Sequence, residues 1–179
     1  MKKSYIYIFF VLIFFILLFK FKDIFFKKNF EKKDEKKNGL YIFNVLEKED
    51  FLDARIKGSS HMSFENIDNI LSKIDKSNKL VFYCANYFCT SSDDAALKAF
   101  KNGFKNVYVY PAGMAEWYQL ALNDKNYEYE GKAEAEYLNF VIPKRKQNEE
   151  NEKNFKYFKI ISSEELQDLI KSNTLYLYE

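Results

Sequence analysis

The stretch that most constrains this chain runs from Leu80 to Gly103 and reads as strand, tight loop and helix. Leu80-Val81-Phe82-Tyr83 is an apolar run with β-branched and aromatic members, of the length expected for an interior strand. Ala85-Asn86-Tyr87-Phe88-Cys89 follows as a loop, and Thr90-Ser91-Ser92-Asp93-Asp94 offers several N-cap candidates with acidic first-turn residues. Ala95, Ala96, Leu97 and Phe100 then make a helical apolar stripe, closed by Asn102-Gly103.

Cys84 falls where the strand ends and the loop begins. Backbone N–H groups and the helix N-terminus favour negative charge at such a bend, so a sulfur there is a candidate nucleophile. Activation has to be substantial, because a thiol of pKa near 8.5 is only about 3% ionised at pH 7. The helix dipole supplies at most about 2 kcal/mol of it, leaving the remainder to loop N–H groups. The single histidine, His61, is remote in sequence and forms a dyad with Cys84 only if the chain folds it across. A buried structural thiol is the competing reading of Cys84.

From about Gly39 to Leu122 the chain resembles a rhodanese-like sulfurtransferase domain. Tyr41-Ile42-Phe43-Asn44-Val45-Leu46 matches the opening strand, and Asp50-Phe51 with Ile56-Lys57-Gly58-Ser59 the segment after it. Val81-Phe82-Tyr83-Cys84 and Ala95-Ala96-Leu97 continue the match. Its most specific part is Gly103 to Trp117, where a glycine, a strand, a Pro-Ala-Gly turn and a tryptophan fall in family order. The resemblance implies an α/β fold, with a small, mainly parallel sheet flanked by helices, and a persulfide carrier. Cys84 takes the catalytic position, and Ala85, Asn86, Tyr87, Phe88 and Cys89 form the anion-binding loop through their N–H groups. A small sulfur-donor anion such as thiosulfate or a polysulfide and a thiol acceptor are the implied partners, without a resident cofactor.

Several positions depart from the family pattern. Cys89 stands where arginine or threonine often ends the loop, and the loop glycine is absent. Asn44-Val45-Leu46 replaces Asp-Val-Arg, Ala54-Arg55 replaces Gly-His, and Ala112-Gly113 replaces a glycine pair. Loss of the guanidinium disfavours a dianion such as thiosulfate. Cys89 either attacks a Cys84 persulfide or closes a disulfide, or it is a small loop residue without a chemical role; the spacing is not Cys-x-x-Cys. A phosphatase of related fold needs arginine at the place occupied by Thr90. Two cysteines and one histidine without paired spacing do not make a zinc site. Erosion of the motifs keeps a second class open: a non-catalytic rhodanese-like binding module or redox-sensing domain.

Tyr5 to Phe19 is an unbroken apolar run flanked by Lys2-Lys3 and by Lys20 and Lys22. It is short for a span, yet no Ala, Gly or Ser lies between Phe19 and Gly39 for cleavage of a secretory signal. Residues 1–28 are therefore read as an uncleaved signal anchor with one transmembrane helix, and 29–38 as a charged tether. Lysines after the run argue for a cytoplasmic domain, and the export-like N-terminus argues against it. The expectation is a single-pass protein of a bacterial inner membrane with a periplasmic domain. There an oxidising environment permits a Cys84–Cys89 disulfide.

The balance of 28 Lys+Arg against 26 Asp+Glu is near neutral, and the lysines are dispersed among acids, so nucleic acid is not an expected partner. The rhodanese-like domain is assigned to 39–125 and a charged linker to 126–158. In 159–179, Ile160 to Ile170 reads as a helix capped by Ser162 or Ser163, and Leu175 to Tyr178 as a strand. That extension either begins a truncated second domain or packs on the first sheet. An unpaired terminal strand invites aggregation, so pairing is expected.

Overall fold

The computed structural model describes residues 39–140 and 156–178. The expected signal anchor, the tether and the middle of the linker lie outside the described residues. Among those described, no helix is long and apolar enough to cross a membrane.

The fold is α/β. Strand β1 (Gly39–Asn44) leads into the short helix α1 (Lys48–Asp53), then β2 (Arg55–Ile56), β3 (Ser60–His61) and α2 (Ile67–Lys73). The predicted unit follows as β4 (Lys79–Tyr83) and α3 (Ser91–Lys101), and the next as β5 (Val107–Tyr110) and α4 (Gly113–Ala121). Strand β4 pairs in parallel with β1 (Ile42 opposite Val81) and with β5 (Phe82 opposite Val109). Strand β3 borders β1 at Phe43 and Asn44, making β4 the centre of the sheet.

Alternation along β4 explains the layers. Leu80 and Phe82 face a core with Ile67, Leu71, Ala95, Ala96 and Ala99, whereas Val81 and Tyr83 face a second core with Tyr110, Trp117 and Leu138. Both faces being covered is why the strand reads as a continuous apolar run. Helix α3 ends where Asn102-Gly103 was expected to stop it: Gly103 sits at φ 93° and donates to Phe100 O at 2.9 Å.

The extension completes the same sheet. Strand β7 (Lys159–Ile160) adds to the free edge of β5, helix α5 (Ser163–Ser172) crosses one face, and β8 (Thr174–Leu175) pairs with β1 at Gly39 and Leu40. Ile161 and Leu166 are buried against that face. The extension thus packs on the sheet of the first domain. The paired strand is two residues long; Tyr176 and Tyr178 continue its attachment by donating to Leu40 O and Ser60 Oγ.

The part of the expected linker from 126 to 140 is not a solvated connection. Strand β6 (Tyr129–Glu130) pairs antiparallel with β2, and a 3-10 helix (Glu136–Asn139) buries Leu138. Trp117 Nε1 donates to Glu128 O at 2.9 Å. The Asp53 carboxylate accepts the N–H groups of Glu134 and Ala135 at 2.9–3.1 Å. The charged residues Glu128, Lys132, Glu134 and Glu136 are exposed, while Leu138 turns inward and Phe140 stays on the surface.

Candidate functional site

Cys84 follows the last residue of β4 at the carboxyl end of the sheet, between β1 and β5. By the same alternation it shares the face of Leu80 and Phe82, which carries it under the start of α3. Cys84 is fully buried, at 0% exposure. Its Sγ lies 3.3 Å from Cys89 O, 4.0 Å from Asn86 O and 3.5 Å from Ser92 Oγ. The backbone N–H of Ser92 also donates to it.

The loop amides do not converge on Cys84 as the sequence suggested. Asn86 takes two of them: Phe88 N–H donates to its Oδ1 at 3.0 Å, and Cys89 N–H to its carbonyl at 3.0 Å. This Asx-type turn replaces the geometry a glycine would give. The N–H groups of Ala85 and Ser91 and the Ser91 hydroxyl bond instead to the sulfur of half-buried Cys89, as does the Cys84 thiol. A proton shared between the two sulfurs therefore rests on Cys84, which faces two carbonyl oxygens. The hydrogen bond to Cys89, followed by burial, pushes the Cys84 thiol far above the ordinary thiol range. The hydrogen bond from Cys84 pulls Cys89 well below that range, with help from the Ser91 hydroxyl and the Ser91 and Ala85 amides. The two cysteines are not joined by a disulfide.

Behind the loop, helix α4 fixes its backbone. Met114 N–H donates to Cys84 O and Ala115 N–H to Ala85 O, each at 2.9 Å. Gly113, at φ 65°, makes that approach feasible: a Cβ there would lie 2.4 Å from Cys84 O. His61 is not part of the site, since its Nε2 is 2.8 Å from Leu46 O and its ring packs on Phe51. Asn86 and Tyr87 line a cleft of about 110 Å³ with Ala112, Ala115, Glu116, Gln119 and Phe140. Phe88 projects from the loop at 76% exposure. Among the described residues no group of three or more His, Cys, Asp or Glu could hold a metal.

The model of the rhodanese-like domain family matches residues 26–120, over half of the chain. The chain belongs to the rhodanese-like domain family. No curated protein matches it. Among solved structures it is similar to the BH2092 protein from Bacillus halodurans, at 21% identity and a TM-score of 0.48, over 68% of this chain and 80% of that one. It is also similar to the rhodanese-like domain of the Alr3790 protein from Anabaena, at 24% identity and a TM-score of 0.44, over 52% of this chain and 94% of that one.

In this rhodanese-like domain the residues after Cys84 make a turn at Tyr87 and Phe88, and Cys89 brings a second thiol beside the first. The sole described arginine, Arg55, is committed elsewhere, to Glu130 at 2.8 Å and over the Phe51 ring. Sequence reasoning missed Ser92, Gly113 and Tyr137. Ser92 was hidden among several capping candidates; Thr90 takes the N-cap position of α3 without a side-chain cap hydrogen bond, and Ser92 turns its hydroxyl to Cys84. Gly113 was noted as half of an eroded pair, and a glycine at a strand-to-helix turn is the signal that could have marked it. Tyr137 had none. Its hydroxyl is buried without a hydrogen-bond partner, and burial, then the charges of Asp50, Tyr83, Asp53 and Cys84, raise its pKa.

Proposed function

We propose that the protein is a sulfurtransferase that carries sulfane sulfur as a persulfide on Cys84, from a small sulfur-donor anion to a thiol acceptor. The observation that carries this reading is the position of Cys84. It heads a tight loop at the carboxyl end of the central strand, its backbone is gripped by α4, and its sulfur touches Ser92 at the start of α3. Loading requires the Cys89 carbonyl, 3.3 Å from Sγ, to swing aside. The loop has no arginine and Glu116 lines the neighbouring cleft, so a dianion such as thiosulfate meets no fixed guanidinium here.

Mass spectrometry of the Cys89→Ser variant tests this, because that change leaves Cys84 as the chain's one cysteine. Incubation with inorganic polysulfide should add the mass of one sulfur atom, and a thiol acceptor should remove it. A variant that takes no sulfur from polysulfide or thiosulfate refutes the carrier. The binding-module alternative then stands, favoured by the complete burial of Cys84 and by exposed Phe88 and Phe140.

The apolar run Tyr5 to Phe19, with its flanking lysines, supports the further proposal that the protein is anchored in a bacterial inner membrane with a periplasmic domain. Digestion of the domain by protease added to spheroplasts is the expected result, and protection until lysis reverses the orientation.

A further inference from the structure

The second thiol of the loop gives the carrier a built-in way to discharge. Cys84 Sγ is in hydrogen-bonding contact with the Cys89 sulfur and sits 3.3 Å from the Cys89 carbonyl. The two sulfurs therefore need only a short approach to reach a disulfide bond of about 2 Å. Cys89 is half-buried and anchored by the N–H groups of Ala85 and Ser91, so it is held on the loop side of Cys84 rather than swinging into solvent.

We infer that Cys89 is a resolving thiol, which converts the Cys84 persulfide into hydrosulfide and an intraloop Cys84–Cys89 disulfide. This rests on the sulfur-carrier reading and names what happens when no external acceptor arrives. As Cys84 attacks the donor, its proton goes to the departing polysulfide. Cys84 gains one sulfur, and the polysulfide leaves one sulfur shorter. The outer persulfide sulfur takes a proton from solvent, and Cys89 stays a thiolate. That thiolate attacks Cys84 Sγ, the bond between Sγ and the outer sulfur breaks, and its electron pair departs with the outer sulfur as hydrosulfide. The sulfane sulfur is reduced, and the two cysteine sulfurs are oxidised to a disulfide. A further turn needs an external dithiol, whose two thiols reopen the bond by exchange.

The charge arrangement supports the order of events. Cys89, with its lowered pKa and its close approach to Cys84, is a nucleophile ready once the persulfide forms. Arginine in the same place would bind a donor anion but could not attack sulfur.

The test compares the full-length wild type with Cys89→Ser and Cys89→Ala after anaerobic exposure to inorganic polysulfide, removal of excess donor and mass measurement of the intact chain. The expected wild-type product is lighter than the dithiol by two hydrogen atoms, with one hydrosulfide released per chain. Both variants should stop one sulfur heavier and release none. Two variants guard against one that misfolds, and circular dichroism checks each. A wild type that keeps the extra sulfur as stably as the variants overturns the resolving role while leaving the carrier intact. If properly folded variants take up no sulfur, the carrier reading fails and this inference fails with it.

Discussion

The cysteine loop and the C-terminal extension sit against the same sheet, yet they are held by different kinds of contact. The loop is fixed by main chain on main chain: Met114 and Ala115 N–H groups on the Cys84 and Ala85 carbonyls, with a glycine between them. The extension is fixed by side chains and short pairings: the Ser162–Glu165 capping box, buried Leu166, and two-residue strands at either edge. Main-chain contact at that distance has no slack, because nothing can rotate away. Side-chain attachment is graded, and each piece can be weakened separately. Position at the site is thus demanded by backbone geometry, and the extension adds stability in increments.

The sharpest way to break that contrast is Gly113→Val. A β-branched residue at φ 65° with its Cβ against Cys84 O should cost about 4 kcal/mol or more, or prevent folding. Chemical denaturation measures it, and a loss no greater than that of a helix cap would erase the distinction. Leu166→Ala should cost about 3 kcal/mol through the cavity left under α5, without altering the reactivity of the cysteines. A changed thiol titration in that variant would mean the extension reaches the loop after all.

Titration of the loop itself comes next. Alkylation of Cys89 should be nearly level between pH 6 and 8, where an ordinary thiol's rate climbs roughly tenfold per pH unit. Cys84→Ala removes the first cause of the lowered pKa and should restore part of that climb, by roughly one to two units of midpoint. By linkage, the Cys89 thiolate stabilises the fold at and above the ordinary thiol range and withdraws that stability as acidification crosses its lowered pKa. Denaturation against pH should therefore show a shallower acid limb in Cys89→Ala. The smallest effect belongs to Ser162→Ala, at about 1 kcal/mol, since it removes one half of a reciprocal cap.

Much of the architecture was legible in the residues because it depends on local pattern. The apolar run before Cys84, the stripe from Ala95 to Phe100 and the Asn102-Gly103 stop each state their own structure within a few positions. The Ser162 cap was legible for the same reason. The stretch 126–140 was not. Its composition is that of a tether, and what orders it comes from 70 or more residues away, at Asp53, or from the indole N–H of Trp117. The site was half legible. Alternation along β4 already aims Cys84 into the core, whereas Asn86's capture of the loop amides depends on the turn it adopts.

The order of residues, alone, determined that a strand would deliver a cysteine to a loop before a helix, and that a second cysteine would follow five positions later. Only the folded chain decided which sulfur holds the proton. That outcome depends on whether carbonyl oxygens or N–H groups face each atom, and on Ser91, Ser92 and Ala85 closing from both sides of the turn. Periodicity fixes which way a side chain points; the sign of the field that meets it there is set by main-chain groups whose directions exist only once the loop has closed.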